Sequence, residues 1–300
     1  MEFLKLNLSI SGVETYIFIP PLFSFLISYF SSMAGLSGAF ILLPFQMSVL
    51  NFTSPSVSAT NFLYNVVGIP GGIYRYMREG RMFWLLALIF VIGVLPGLLI
   101  GYYIRIKYLF DPALFKFFVG IVLIFIAIRL FKSAKHTKIK NIKGRDYKIE
   151  NVKYISMGIE YYFMGERVFF KLPHMLVFTF FVGIISGIYG IGGGAIIVPV
   201  CVSVFKLPVY TIAGAALLST FATSIAGVLF YTFIPIYHGM TAPPDWILGL
   251  LFGIGGIPGM YLGAKTQKHV PENIIKVALS LVLIGISCKY ILNFLITWQR

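Results

Sequence analysis

The stretch Tyr189-Gly190-Ile191-Gly192-Gly193-Gly194-Ala195-Ile196-Ile197-Val198-Pro199 puts four glycines into five positions of an apolar segment running from Leu172 to Phe205. Glycine costs about 1 kcal/mol relative to alanine inside a helix, so the run predicts a broken helix. In hydrocarbon, a broken backbone survives only where it is buried in protein or lines a cavity. A weaker copy, Gly35-Leu36-Ser37-Gly38-Ala39-Phe40-Ile41-Leu42-Leu43-Pro44, lies upstream. Two interrupted membrane segments in matching positions of two halves point to a transporter's substrate site.

That hydrocarbon is the solvent follows from composition. The 300 residues are 58% hydrophobic and 11% charged, where a soluble domain carries about 25% charged residues. The net charge of +14 does not indicate nucleic acid, because 11 of the 24 Lys and Arg fall between Arg129 and Lys171, in one connection between apolar spans. That is the usual cytoplasmic loop of an integral cell-membrane protein. The lone thiols Cys201 and Cys288 imply neither a disulfide framework nor a metal site. Met1 to Glu14 is mixed in character, with no cleavable signal expected.

A spanning helix needs about 20 apolar residues. The candidates are Tyr16–Leu50, Val57–Met77, Met82–Ile104, Ala113–Phe131, Leu172–Phe205, Tyr210–Tyr237, Trp246–Thr266 and Ile274–Ile296. The first and fifth are too long for one crossing, and each reads as two half-helices meeting at its glycine break. Gly35, Gly38 and Pro44 match Gly190, Gly193 and Pro199 at one constant offset, and Gly93-x-x-Pro96-Gly97-x-x-x-Gly101 matches Gly255-x-x-Pro258-Gly259-x-x-x-Gly263. The expectation is an all-α polytopic membrane protein of two four-segment repeats, residues 16–131 and 172–297. Residues 132–171 form a basic cytoplasmic connector, and the alternating apolar residues from Tyr147 to Phe170 suggest a β-hairpin or meander there.

Charge placement distinguishes two topologies. If every segment crosses once, the halves are parallel and Lys206, Lys265 and Lys268 face outside. If the broken segments are re-entrant, the halves are inverted, and these lysines join Arg75, Arg78, Arg81 and the connector inside. The inverted arrangement fits better, although Arg105 and Lys107 stay outside in both.

No Asp, Glu, Lys or Arg is expected within a spanning core, which argues against a cation carrier built on a buried carboxylate. An anion can instead be held by half-helix N-termini, whose N–H groups and positive dipole ends favour negative charge. The candidate site therefore comprises Ser37, Gly38 and Ala39 at the first break and Gly192, Gly193 and Gly194 at the second. Asn61, Asn65, Ser219 and Thr220, on the segments that follow the breaks, would orient the anion. Small hydroxylated residues also mediate close helix packing in membranes, so that reading stays open for each. The glycine ladders of the Gly93 and Gly255 segments are expected to be packing surfaces. Nothing in the pattern forms a nucleophile–base set, a nucleotide loop or a metal cluster, so neither an enzyme nor a cofactor is expected.

At these residues the chain resembles the sulfite exporter TauE/SafE family of membrane permeases. The resemblance rests on Gly190-x-Gly192-Gly193-Gly194 with Pro199, the weaker Gly35–Pro44 copy, the paired Gly-x-x-Pro-Gly-x-x-x-Gly segments and the Arg75–Trp84 turn. It implies a secondary transporter moving a small, often sulfur-containing anion such as sulfite or an organosulfonate, by alternating access. Proton coupling and a homodimer are left open, the lipid bilayer is the expected surrounding, and nucleic acid is not an expected partner. An anion channel using the same half-helix site and a receptor-like membrane assembly protein remain as alternatives.

Overall fold

The computed structural model describes residues 5–136, 149–235, 241–267, 270 and 272–298. Ten helices carry the fold: α1 (Ile19–Met33), α2 (Ala39–Ser48), α3 (Ser56–Arg78), α4 (Trp84–Lys107), α5 (Pro112–His136), α6 (Leu172–Tyr189), α7 (Gly194–Ser203), α8 (Val209–Phe233), α9 (Trp246–Thr266) and α10 (Glu272–Trp298). Strands β1 (Lys5–Asn7) and β2 (Glu14–Tyr16) form an N-terminal hairpin that the mixed sequence there did not disclose. Strands β3 (Ile149–Ile155), β4 (Gly158–Phe163) and β5 (Glu166–Lys171) form an antiparallel meander with β4 in the middle, as the alternation between the two halves suggested.

Six helices, α4 to α6 and α8 to α10, are long and apolar enough to cross a membrane. The α3 helix has the length, 23 residues, but falls short in hydropathy. The reason is its position. Ser56, Ser58, Thr60, Asn61 and Asn65 are all buried in protein, where α3 packs on α2, α8 and α9, so this helix need not be apolar to be shielded from lipid.

Small residues set the packing. In α4, a Cβ at Gly93, Gly97 or Gly101 would run into Thr179, the Phe180 carbonyl or the Ile184 carbonyl of α6, in that order along both helices. In α9, Gly255, Gly259 and Gly263 meet Pro21, Phe25 and Tyr29 of α1 in the same ascending order. Both pairs therefore run parallel, with backbones in direct contact, as small-xxx-small surfaces allow. The α3 and α9 helices are also parallel: Leu63 meets Gly249, and Val67 meets Gly253. By contrast α3 and α8 are antiparallel, since Phe62 lies on Gly227 while Tyr76 lies on Gly214. The same holds for α5 and α10, where Gly120 meets Tyr290 and Ser133 meets Lys276.

These directions fix the path of the broken segments. Because α1 and α3 both run parallel to α9, α2 must return the chain to the face where α1 began. Because α6 runs parallel to α4, and α8 opposes α3, α7 must do the same from the other face. Both pairs are helical hairpins whose second limb runs back toward the end of the bundle where the first began. The principal contacts are also unchanged when α1 to α5 are exchanged for α6 to α10: α4 with α6 becomes α9 with α1, α3 with α9 becomes α8 with α4, and the α3–α8 and α5–α10 pairs map onto themselves.

The meander seals one end of the bundle. Ile159, Tyr161 and Phe163 of β4 are buried, the Tyr161 ring stands edge-on to Phe83 at 5.0 Å, and its hydroxyl lies 2.9 Å from Thr211 Oγ1 at the start of α8. Burial pushes the Tyr161 ionisation up, so the hydroxyl stays neutral in this contact. Glu160, 6% exposed, accepts from Arg167 Nε at 2.7 Å.

Replacing Gly97 by valine should force α4 off α6 and cost about 3 kcal/mol, seen as a lower Tm and reduced monodisperse yield in detergent. Gly285→Ala is the control: its Cβ meets open space, and Tm should hold or rise slightly.

Candidate functional site

The first break follows α1. Ala34 and Leu36 donate N–H bonds to Ser31 O, and Gly35 to Ser32 O, each at 3.0 Å, so the last carbonyls of α1 are satisfied by a tight turn. Gly38 then caps α2. The second break follows α6. Gly190 closes that helix in the left-handed region, φ 84°, donating to Ser186 O at 2.7 Å, and Gly193, φ 90°, caps α7. Glycine is needed at Gly190 twice over: for its φ, and because a Cβ there would meet the Ser58 backbone. The half-helix starts thus fall at Ala39 and Gly194, within the Ser37–Ala39 and Gly192–Ala195 windows expected from sequence.

One side chain joins the breaks. Asn61 Nδ2 donates to Ala39 O and Gly190 O, both at 3.0 Å, and its Oδ1 accepts from Gln46 Nε2 at 3.4 Å. One α3 amide thus ties the start of α2 to the end of α6. Asn65, one turn on, donates to Ile191 O at 3.4 Å, and its Oδ1 has no partner. In this conformation both N–H donors of Asn61 serve backbone at the breaks, while Asn65 gives one of its two to Ile191 O. The second break is also held from α8: Thr220 Oγ1 accepts the Gly194 N–H at 3.0 Å, and Thr223 Oγ1 donates to Gly192 O at 3.0 Å. Tyr189 donates to Phe40 O at 2.8 Å, a second tie between the hairpins.

Other donors stay free. The hydroxyls of Ser31 and Ser37 at the first break, Ser186 at the second, and Ser219 and Ser224 on α8 are buried with no hydrogen-bond partner. The Ser224 hydroxyl lies close enough to Gly192 that a Cβ there would stand 2.8 Å from it. The first-turn N–H groups of Ala39, Phe40 and Ala195 have no acceptor among the described residues. At α2 the Tyr64 hydroxyl, 2.7 Å from Ser28 Oγ, lies against the Gly38 backbone. Ser31 to Phe40 and Ser186 to Val202 are buried throughout, so both breaks are shut off from either face.

Of the ten expected residues, Asn61, Asn65, Gly192, Gly194, Thr220 and Ala39 are joined by these hydrogen bonds. Gly38 and Gly193 are the two N-caps, and Ser37 and Ser219 hold unpartnered hydroxyls. Sequence reasoning missed Gln46 and Tyr64, whereas Thr223 is one of the hydroxyls that the helical spacing on the segment after the second break brings to one face with Ser219. Gln46 could have been found as a lone amide in an apolar half-helix. Two cations that the sequence places at segment ends prove to be covered by protein there. Arg105 in α4 and Lys276 in α10 are both 0% exposed, because α5 and its flanking turn cover the end of α4 and Ser133 of α5 meets Lys276 Nζ at 2.9 Å. A separate cavity of about 430 Å³, lined by Asn51, Lys116, Lys289 and Tyr290, opens at the α5–α10 end near Ser48 and contains none of the ten.

Two broken-helix hairpins buried against each other among six helices long and apolar enough to cross a membrane mark a multi-pass integral membrane protein. The chain belongs to the sulfite exporter TauE/SafE family, whose profile matches residues 21–290. It is 26% identical over 268 residues to the "Probable membrane transporter protein YunE" of Bacillus subtilis (strain 168), covering 87% of this chain and 92% of that one. It is 21% identical over 265 residues to a "Probable membrane transporter protein" of Xylella fastidiosa (strain Temecula1 / ATCC 700964), covering 87% and 90%. No solved structure matches the chain.

Asn61→Ala should leave Gly190 O buried without a donor and strip Ala39 O of its side-chain bond, lowering stability by about 2 kcal/mol. Ser31→Ala, which removes an unpartnered hydroxyl, should leave stability within about 0.5 kcal/mol of wild type. Thermal unfolding in detergent of the two variants side by side checks both.

Proposed function

We propose that this protein is a secondary transporter that moves a small oxyanion, of the sulfite or organosulfonate class, by alternating access. The observation that carries the reading is the set of buried hydroxyls without partners around two half-helix N-termini, with no carboxylate among the residues that line the breaks. An unpaired buried donor costs free energy. An anion accepting from Ser31, Ser37, Ser186, Ser219, Ser224 and the free N–H groups of Ala39 and Ala195 would remove that cost, and the dipole ends of α2 and α7 would favour its charge. Asn61, Asn65, Gly192, Gly193, Gly194 and Thr220 hold the cradle in shape. Membership of the sulfite exporter TauE/SafE family supports the sulfur-containing class.

The two halves, residues 16–131 and 172–297, are then inverted repeats. The face bearing Arg75, Arg78, Arg81, the meander and Lys206 is cytoplasmic by its positive charge. Access alternates when one hairpin moves against the rest. Asn61 is the latch, since opening toward either face requires it to release Ala39 O or Gly190 O. With no carboxylate at the breaks, any proton coupling runs through the acid–base equilibrium of the substrate itself.

Uptake into proteoliposomes, screened over sulfite, sulfate, thiosulfate, sulfonates and carboxylates with and without a pH gradient, tests the reading. Saturable uptake of at least one sulfur oxyanion is expected, and uptake of none sinks it. Gly193→Val, which forces a branched side chain to φ 90°, should insert normally yet lose transport. A cysteine placed at the C-terminus should react with an impermeant reagent from outside; protection in intact cells would overturn the inverted topology.

A further inference from the structure

Arg105 is 0% exposed, near the end of α4. Its guanidinium carbon lies 3.6 Å from the centroid of the Phe115 ring, and Nη1 donates to Leu109 O. Nε and Nη2 are buried and have no hydrogen-bond partner. Neighbouring charges do not neutralise it. Asp111, on the turn between α4 and α5, is exposed and caps Leu114 N at 2.8 Å, while Lys107 points to Tyr103 at 2.8 Å. Among the described residues no carboxylate pairs with Arg105. Arginine does not escape by losing its proton, and a buried charge without a partner costs several kcal/mol. Two parallel donors left open on such a group match the edge of an oxyanion.

The position relates this cation to the second break. Arg105 follows Gly101, which packs on Gly187 in the last turn of α6. Tyr231 lies in the surroundings of Arg105, holds its ring tilted at 53° with its centroid 4.5 Å from that of Tyr102, and donates to Gly187 O at 2.8 Å. Next to Gly187 stands Ser186, one of the unpartnered hydroxyls. In α9 the residue four past Gly263 is Gln267, which is neutral and accepts from Tyr76 at 3.1 Å. One end of the bundle therefore pairs a tyrosine with an amide, and the opposite end pairs a tyrosine with an unneutralised guanidinium.

We propose that Arg105 is an anion-binding residue of the entrance between the outer face and the α6–α7 break, taking two oxygens of a small sulfonate- or sulfite-type anion on its Nε/Nη2 edge. The proposal rests on the anion-transport reading above, and adds a site that the sequence placed outside the core. A lipid phosphate offers the same edge to the guanidinium, so the test separates free anion from lipid.

The full-length protein is purified in detergent as wild type, Arg105→Met, Arg105→Lys and Arg105→Gln, then titrated with sulfite, ethanesulfonate or phosphatidylglycerol while Tm is read, and reconstituted for uptake. Wild type should gain Tm with free anion. Arg105→Met should show an anion-free Tm equal to or above wild type, because an unpaired buried charge is gone. It should lose the anion-dependent gain and raise KM about tenfold or more with Vmax largely kept. Arg105→Lys, a point charge without the fork, should fall between, and Arg105→Gln should resemble methionine. The inference is overturned if Arg105→Met lowers the anion-free Tm and keeps the anion-dependent gain, which makes the guanidinium a brace for Leu109 and Phe115. It is also overturned if only phosphatidylglycerol shifts Tm, or if wild-type uptake occurs and KM is unchanged in the variant. Should no anion enter liposomes while Arg105 still governs the anion-dependent Tm, the transport reading fails and the anion site stands.

Discussion

A chain that leaves the helix inside hydrocarbon must find partners for its own carbonyls and N–H groups, and here Asn61 answers that demand. Its amide spans two broken helices from different halves of the chain, binding Ala39 O and Gly190 O together. Water is not available at that depth to substitute, so each bond lost there costs more than a surface bond would. The surrounding polar groups follow the same rule. Asn65 takes Ile191 O, Thr223 takes Gly192 O, and Thr220 takes the Gly194 N–H. Because α3 and α8 must supply these groups, they cannot be uniformly apolar. Helices of that composition have to be walled in by others, which α2 and α9 do for α3, and α4 and α7 for α8.

The wall depends on close approach. A helix pair with glycine at every fourth position brings backbone against backbone, and the two such pairs, α4 with α6 and α1 with α9, each join the broken helix of one half to an intact helix of the other. A hairpin held this way is clamped along its outer limb and free to be rearranged at its tip. The arrangement would suit the proposed alternating access, since the limb supplies rigidity and glycine at the tip admits backbone conformations closed to other residues.

Much of this was legible in the sequence. The glycine run against its apolar background located both breaks, and the positions of Gly38 and Gly193 as caps follow from the constant offset. The repeated Gly-x-x-Pro-Gly-x-x-x-Gly pattern identified the contact helices, though not that each would pack on the half to which it does not belong. Contacts between distant segments leave no local trace. The sequence located α3 as Val57–Met77 and Arg105 at a segment end, but it showed neither that the polar residues of α3 are buried in protein nor that Arg105 is covered. A charge near a segment end reads as interfacial, yet its depth is decided by whatever the next helix lays over it, here Phe115 of α5. The donors of Asn61 were read as free for a ligand because the sequence does not say which carbonyls a break will orphan.

The two halves are related in contact pattern but not in chemistry, and the difference bears on how such a protein could work in one direction better than the other. At the offset of 155 that relates Gly35 to Gly190, Asn61 corresponds to Ala216, Tyr64 to Ser219 and Ser37 to Gly192. The amide tie therefore exists once. The first break is stopped by a tyrosine hydroxyl against Gly38, and the second is lined by the smaller Ser219, Thr220 and Ser224. At the bundle ends, Gln267 beside Tyr76 corresponds to Arg105 beside Tyr231. An inverted repeat with identical halves would have equal free energies in its two end states. Placing the tie, the bulk and the buried charge unequally removes that degeneracy, so under the proposed transport cycle the resting conformation and the face at which an anion is first captured would be set by side chains and not by the fold.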